Sequence, residues 1–482
     1  MEKSGNKPGD VTTAEMMGWI DDIVKCGIRR PGWPGQRLAE QYLNRRFTRF
    51  GLEDVVEEAV PVNRWKPQQT LFQIMGSGET IACMAIPYTA WTADAGVEAP
   101  LVWIGDGEPG DFEGKDLHGK IAVMNARFKD FNTGLLKQSA LAVYDPGMTI
   151  PDGVLHKANW LITNFPGYYA AQKRGAAGFV GLLVDSPIDD CGHWVPYDGW
   201  LKDLPAVWVG RGKAESVEQA ARRGIRARLL STGTTDQVES HNIAAWVRGK
   251  SDETILLTCH HDAPWASAVE DASGLAILLG LAKRFGSQKK HLNRNLLFVA
   301  SSGHFHGGTG NRVFVEKHRG NWLSQTVAAL GMEHIAQEAE PDGENGYRLT
   351  GRPEVRAIFT ENCPSLIQAI KQGIEKHNLD RTLVLPPYLF GPEPPCDAAP
   401  YFTAGIASAC LISGPLYLFD RHDDPEKVRQ EDLSPVLNFF SELVKEIDSM
   451  PTEDLHTGLA HSLHDPSPPM PHWFAPPTSI LD

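Results

Sequence analysis

No stretch of this chain approaches the roughly 18 consecutive apolar residues that a membrane-crossing helix needs, so no membrane partner is expected. Positive charge is in deficit. Lys and Arg number 46 against 60 Asp and Glu, a formal net charge of −14, which argues against a nucleic-acid partner. Cysteine is scarce: the seven thiols, at 26, 83, 191, 259, 363, 396 and 410, are scattered and odd in number, and they read as reduced thiols of a cytoplasmic protein. The first residues, Met1-Glu-Lys-Ser-Gly-Asn-Lys-Pro, lack the apolar region of a signal peptide, which supports the same expectation. Internal repeats are also lacking. What is there is ordinary globular material: 482 residues, 42% hydrophobic and 22% charged, enough for two or three domains.

The strongest local signal lies mid-chain. Thr254 to Thr258 is rich in β-branched and apolar residues and reads as a buried strand. It delivers His260, His261 and Asp262 to the strand's C-terminal end, and Glu270 and Asp271 open an apolar-periodic helix, Leu275 to Phe285. Sites in open α/β sheets lie beyond the carboxyl ends of strands. A His and a carboxylate placed there are the ligand types of a catalytic zinc.

This pattern resembles the zinc exopeptidases of the aminopeptidase and glutamate-carboxypeptidase type, to which glutaminyl cyclases are related. The resemblance rests on His260-x-Asp262, ten residues from His260 to the acidic pair at Glu270, and Ser273-Gly274 before the helix. Other segments extend it. Gly27-Ile-Arg-Arg-Pro-Gly32 with the helix to Phe50 resembles the family's N-terminal helix. Leu296 to Ala300 reads as a second buried strand. Ala328 to Ile335 resembles the strand ending in a metal-binding acid, here Glu333. Cys396-Asp397-Ala-Ala-Pro-Tyr-Phe402 and Asp423-Asp424-Pro-Glu-Lys-Val428 resemble two later motifs. The resemblance implies that His260, Glu270 and Glu333 hold a first metal, with Glu270 where the family has a bridging Asp.

Three further family positions are altered. After the strand ending at Ala300 the family carries a general-base Glu and a second-metal Glu; here His304 and Phe305 align with them. The family's last ligand His aligns with Phe419, with His422 nearby. A phenyl ring donates no lone pair, so one divalent metal per chain is expected rather than two, unless His304, His306 or His422 rebuild the second site. Zinc is the first choice, with iron and manganese as alternatives. His304 is the expected general base, since imidazoles titrate near neutrality, and Asp262 the acid that orients His260. Phe305, Phe419 and Trp265 are expected as substrate wall. The blander alternatives are a turn residue for His304, a helix N-terminal acid for Glu270 and a buried ion pair for Glu333.

The expected fold is α/β, a zinc-exopeptidase-like mixed sheet flanked by helices with an inserted β-rich α/β domain. The catalytic domain takes 1–97 and 233–450, the insertion 98–232, and a Pro/His-rich tail 451–482. Asp116-Leu-His-Gly-Lys-Ile-Ala-Val123 and Ala170 to Gly181 make the insertion resemble a protease-associated domain. Phe131 to Pro166 is a long excursion within it, a candidate lid or interface arm, and His193 and Trp194 are further lid candidates. The expected function is mononuclear metal-dependent hydrolysis of an amide or related C–N bond in a small molecule or short peptide. Two alternatives stay open: a non-hydrolytic iron or manganese enzyme (lyase, isomerase or oxygenase), and a catalytically dead binding protein. A homo-oligomer formed through the tail or the insertion is also an expectation.

Overall fold

The structure is a computed structural model and describes residues 9–287, 291–343 and 345–464. Its centre is a mixed sheet. From one edge to the other the strands run 83–85, 206–210, 178–183, 121–125, 97–103, 226–247, 295–301, 254–260, 326–332, 407–413, 356–360, 382–385 and 142–144. Strands Thr254–His260, Asn295–Ser301, Thr326–Met332 and Ala407–Ser413 are parallel neighbours. Every residue of the first three is buried. Parallel strands covered on both faces show this pattern, and it explains why they read as continuous apolar runs rather than alternating ones.

One face is covered by the helix Gly274–Gly286, buried along nearly its whole length, with Thr13–Val24, Pro34–Arg49 and Gln430–Ser449 packed around it. Strands Glu53–Ile74 and Arg226–Val247 pair antiparallel over nearly their full length. Arg226–Val247 borders 295–301 with its second half and 97–103 with its first. Residues 97–229 build the rest of the sheet, with parallel strands 97–103, 121–125, 178–183 and 206–210. The boundary expected between 232 and 233 therefore falls inside a single strand. Cys83–Ala85, which the sequence placed in the N-terminal part, pairs with Ala206–Gly210 instead.

The excursion after Phe131 reaches the carboxyl end of strand Ala407–Ser413, where Trp160 packs on Gly414 and the Asn159 amide donates to the Leu416 carbonyl. Phe128–Asn132 and Val154–Ile162 form a two-stranded ribbon, and Ala142–Tyr144 pairs with Thr382–Leu385 at the far edge of the sheet. The first part of the tail packs on its own chain: Leu455 is buried, and the Arg319 guanidinium donates to the Leu463 carbonyl at 2.8 Å. The proline clusters after 465 lie outside the described residues. No helix among the described residues is long and apolar enough to cross a membrane. All seven cysteines are free.

Candidate metal centre

Three neighbouring parallel strands end at one place and deliver His260, the turn carrying His304, and Glu333. The fourth contribution, Asp397, comes from the loop before the short helix Ala399–Thr403. His260 is fully buried. Its Nδ1 lies 2.9 Å from the Asp262 carbonyl oxygen. A carbonyl only accepts, so Nδ1 carries a proton and Nε2 is the ring nitrogen that faces the site. The Asp262 carboxylate, expected to orient His260, lies 3.9 Å from that ring. It accepts instead from the His304 and Phe305 backbone N–H groups, at 3.1 and 2.9 Å. The orientation of His260 thus comes from the Asp262 main chain, and the Asp262 side chain anchors the next turn.

Glu270 follows in an irregular turn ahead of the long helix. Its oxygens face two imidazoles: Oε1 is 3.0 Å from His260 Nε2, and Oε2 is 2.6 Å from His334 Nε2. The turn is held from three sides. Asp423 accepts the N–H groups of Ala268, Val269 and Glu270, and burial still pushes its carboxyl up to about 7. Arg29, from the Gly27-Ile-Arg segment, donates to the carbonyls of His261, Ser267 and Glu270. Asp271 accepts from the Cys259 thiol at 3.0 Å and from the N–H of His334 at 3.1 Å.

Glu333 Oε1 accepts from the Asp397 N–H at 2.8 Å and the Cys410 thiol at 3.2 Å. Burial, with Cys410, Asp397 and Asp271 close by, holds its carboxyl well above the usual range. His304 stacks on His260 with ring centres 4.0 Å apart, and its Nδ1 faces Asp397 Oδ1 at 3.3 Å. Tyr197 lies parallel to the other face of His304, at 5.7 Å. This residue lies between strands Gly178–Leu183 and Ala206–Gly210, so that part of the chain reaches its own site. An adjoining cavity is lined by Tyr197, His304, Asn311, Arg312, Glu393 and Asp397.

The remaining expectations are placed elsewhere. His306 turns away: its Nε2 accepts the Asn63 N–H at 3.0 Å and its Nδ1 meets the Thr309 hydroxyl, with burial pushing it down to about 4. Gly303 before His304 and Gly307 and Gly308 after His306 all adopt positive φ, the left-handed conformation that glycine takes without strain. His422 sits beside Asp420 and Asp190, at 3.4 and 3.7 Å, where the Asp420 carboxylate raises its pKa. Phe305 and Phe419 pack together at 4.9 Å and are buried; they back Tyr197 rather than line the cavity. Trp265 stacks on Arg30 and donates to the Phe419 carbonyl. His193 and Trp194 are buried in the inserted half's core. His261 donates to the His241 carbonyl, away from Glu270. His334 and Asp397 are the site residues that sequence reasoning did not single out, although each adjoins or lies in a segment it had quoted.

The donors fit a cation. His260 Nε2, both Glu270 oxygens, Glu333 Oε2, His334 Nε2 and Asp397 Oδ2 are buried and make no hydrogen bond of acceptable geometry. Buried polar atoms left in this way cost about 1–3 kcal/mol each. Four buried carboxyls, Glu270, Asp271, Glu333 and Asp397, converge here. Ligating atoms of His260, Asp271, Glu333 and His334 lie within 4.8 Å of one another, as do those of His260, His304, Glu333 and Asp397.

A mixed sheet between helices with buried His and carboxylate donors at its strand ends defines the zinc exopeptidase class, whose members are metal-dependent hydrolases. Residues 242–371, which include His260, Glu270, His304 and Glu333, match the family described as Peptidase family M28. The chain is 24% identical over 356 residues to carboxypeptidase Q of Xenopus laevis, 70% of this chain and 68% of that protein. Its fold matches a zinc aminopeptidase from Bacillus subtilis with a TM-score of 0.68 at 17% identity, over 94% of this chain and 100% of that one. It also matches a Peptidase M28 precursor from Shewanella amazonensis, TM-score 0.68 at 18% identity, over 94% and 95% of the two chains.

Proposed function

We propose that this protein hydrolyses an amide bond of a short peptide or related small molecule, using one divalent ion per chain, zinc in the first instance. His260, Glu270 and Glu333 would hold the ion. The observation that carries the proposal is that these residues hold buried donor atoms without hydrogen-bond partners, with His260 and Glu333 together in two groups of ligating atoms that lie within 4.8 Å of one another and Glu270 Oε1 3.0 Å from His260 Nε2. Bound there, the ion supplies polarisation of a carbonyl and acidification of a water molecule.

The chain's own groups account for the proton. Asp397 Oδ1 can only accept from His304 Nδ1, so that nitrogen carries the hydrogen and Nε2 is the free base. His304 is the partly exposed imidazole of the cluster and borders the cavity. It takes a proton from water at Nε2 and returns one to the leaving nitrogen as the C–N bond breaks. Asp397 keeps the tautomer, and Tyr197 keeps bulk water off the ring. Because His304 replaces the family's carboxylate base and Phe305 and Phe419 replace ligands of a second metal, weak activity is expected on unblocked aminopeptidase substrates. The donor set also suits iron or manganese, which keeps a non-hydrolytic reaction as the second reading.

The test is His304→Gln. It keeps size and hydrogen bonding but takes up no proton near neutrality. The expected result is metal content unchanged and turnover of peptide amides lowered at least about a hundredfold. Loss of metal would make His304 a ligand, and unchanged turnover would remove it from the mechanism.

A further inference from the structure

We propose that His334 is a ligand of the metal centre, which makes it a two-imidazole site with Glu270 between His260 and His334. This rests on the reading that the site binds a divalent ion.

The two imidazoles are arranged alike. His334 Nδ1 lies 2.6 Å from the Ser413 carbonyl oxygen, as His260 Nδ1 lies 2.9 Å from that of Asp262. Both contacts keep a proton on Nδ1, so Nε2 is the nitrogen that can give up its proton and take an ion. Each Nε2 then faces a different oxygen of Glu270, at 3.0 and 2.6 Å, off any hydrogen-bond line. Burial works against charge on either ring, but the surrounding carboxylates, Glu270 among them, hold both imidazoles above their usual range, His334 at about 9, so positive charge is favoured between each ring and Glu270. A divalent ion held by these residues would supply that charge in place of the Nε2 protons.

The backbone is set for this role. His334 has φ 56°, a left-handed conformation uncommon outside glycine although His, Asn and Asp adopt it more often than other residues. Two contacts enforce it here: its N–H donates to Asp271 Oδ1, and the Ser413 hydroxyl donates to its carbonyl at 2.7 Å. The result turns the side chain of the residue after Glu333 into the same cluster as Glu333, although both follow one strand. Set beside His260, a second nitrogen donor shifts preference from oxygen-loving ions towards zinc, iron, nickel and copper.

The full chain, stripped with a chelator, is titrated with copper(II) as the probe, and coupled imidazole nitrogens are counted by pulsed electron paramagnetic resonance. Two imidazoles are expected in the wild type. In His334→Asn one is expected, with copper affinity weakened at least about tenfold, since even residues that merely support ligands cost 10–100-fold. Asn tolerates the left-handed backbone. A melting temperature within a few degrees of wild type qualifies the variant as folded, and His334→Gln serves if Asn does not. One imidazole in the wild type, or two in the folded variant, would overturn the assignment while leaving the metal-dependent reading intact. No copper or zinc binding by the wild type would overturn both.

Discussion

At Phe305 and Phe419 the chain has rings where a second ion would need lone pairs. The two rings pack against each other and against Tyr197, at 4.9 Å between Phe419 and each neighbour, and they join an aromatic cluster with Trp194 and Trp208. Neither ring offers a lone pair, and His306 and His422 have their partners elsewhere, Asn63 and Thr309 for the first and Asp420 and Asp190 for the second. Elemental analysis of protein loaded with zinc is expected to give one ion per chain, and none with His260→Ala; two per wild-type chain would refute this count. A different residue sets a pH response. Glu354 is 1% exposed, accepts only its neighbour Val355's N–H among the described contacts, and burial raises its carboxyl from 4.5 to about 8. A raised folded pKa means stability that is full below 4.5 and lost as pH rises towards 8, at up to about 1.4 kcal/mol per unit. Glu354→Gln should flatten the fall in melting temperature between pH 5 and 8. A slope identical to wild type would show that Glu354 is ionised throughout.

Elements explain what was legible in the sequence. Thr254–His260, Asn295–Ser301 and Thr326–Met332 could be read because total burial leaves uninterrupted apolar runs, and the ligands at their ends follow from where those runs stop. The turn after Ser301 could be read as glycine-rich but not aimed. That His304 points into the site and His306 out of it depends on three left-handed glycines and on the Asp262 carboxylate, 42 residues upstream, holding two of its N–H groups. His334 was hidden for a similar reason: its aim depends on the Ser413 carbonyl, 79 residues later, on a neighbouring strand. The pairing of Ala142–Tyr144 with Thr382–Leu385 was illegible because three residues at a sheet edge carry no pattern of their own. Asp262→Asn tests the turn as an element. One acceptor becomes an N–H₂ facing N–H donors, so the 304–305 turn loosens while His260 keeps the Asp262 carbonyl. Metal affinity should change less than about threefold, while turnover falls by about ten- to a hundredfold. Equal losses of both would show that the carboxylate serves the ion directly.

On the scale of the whole molecule, the inserted half is not free to act by itself. Strands Glu53–Ile74 and Arg226–Val247 run as one ladder through both halves, so separating the halves would break it midway. The cluster that includes Phe305 and Phe419, from the strand ends of the catalytic half, is completed by Tyr168, Phe179, Leu204 and Trp208 of the inserted half. The Tyr88 hydroxyl donates to the Phe305 carbonyl at 2.7 Å, and the Gly307 N–H donates to the Tyr197 carbonyl at 3.0 Å. Unfolding the inserted half alone would therefore expose both phenylalanines and release the ring over His304. A single calorimetric transition is expected, with far-ultraviolet dichroism and tryptophan fluorescence changing together. Phe305→Ala sharpens the test, because it removes a fully buried ring at the junction and should cost about 3–5 kcal/mol. If the halves are coupled as the shared ladder and cluster require, the one transition moves to lower temperature without splitting. Two resolved transitions in the wild type would show that the inserted half melts independently, and the closure of the site by Tyr197 would then be a local contact rather than a property of the fold.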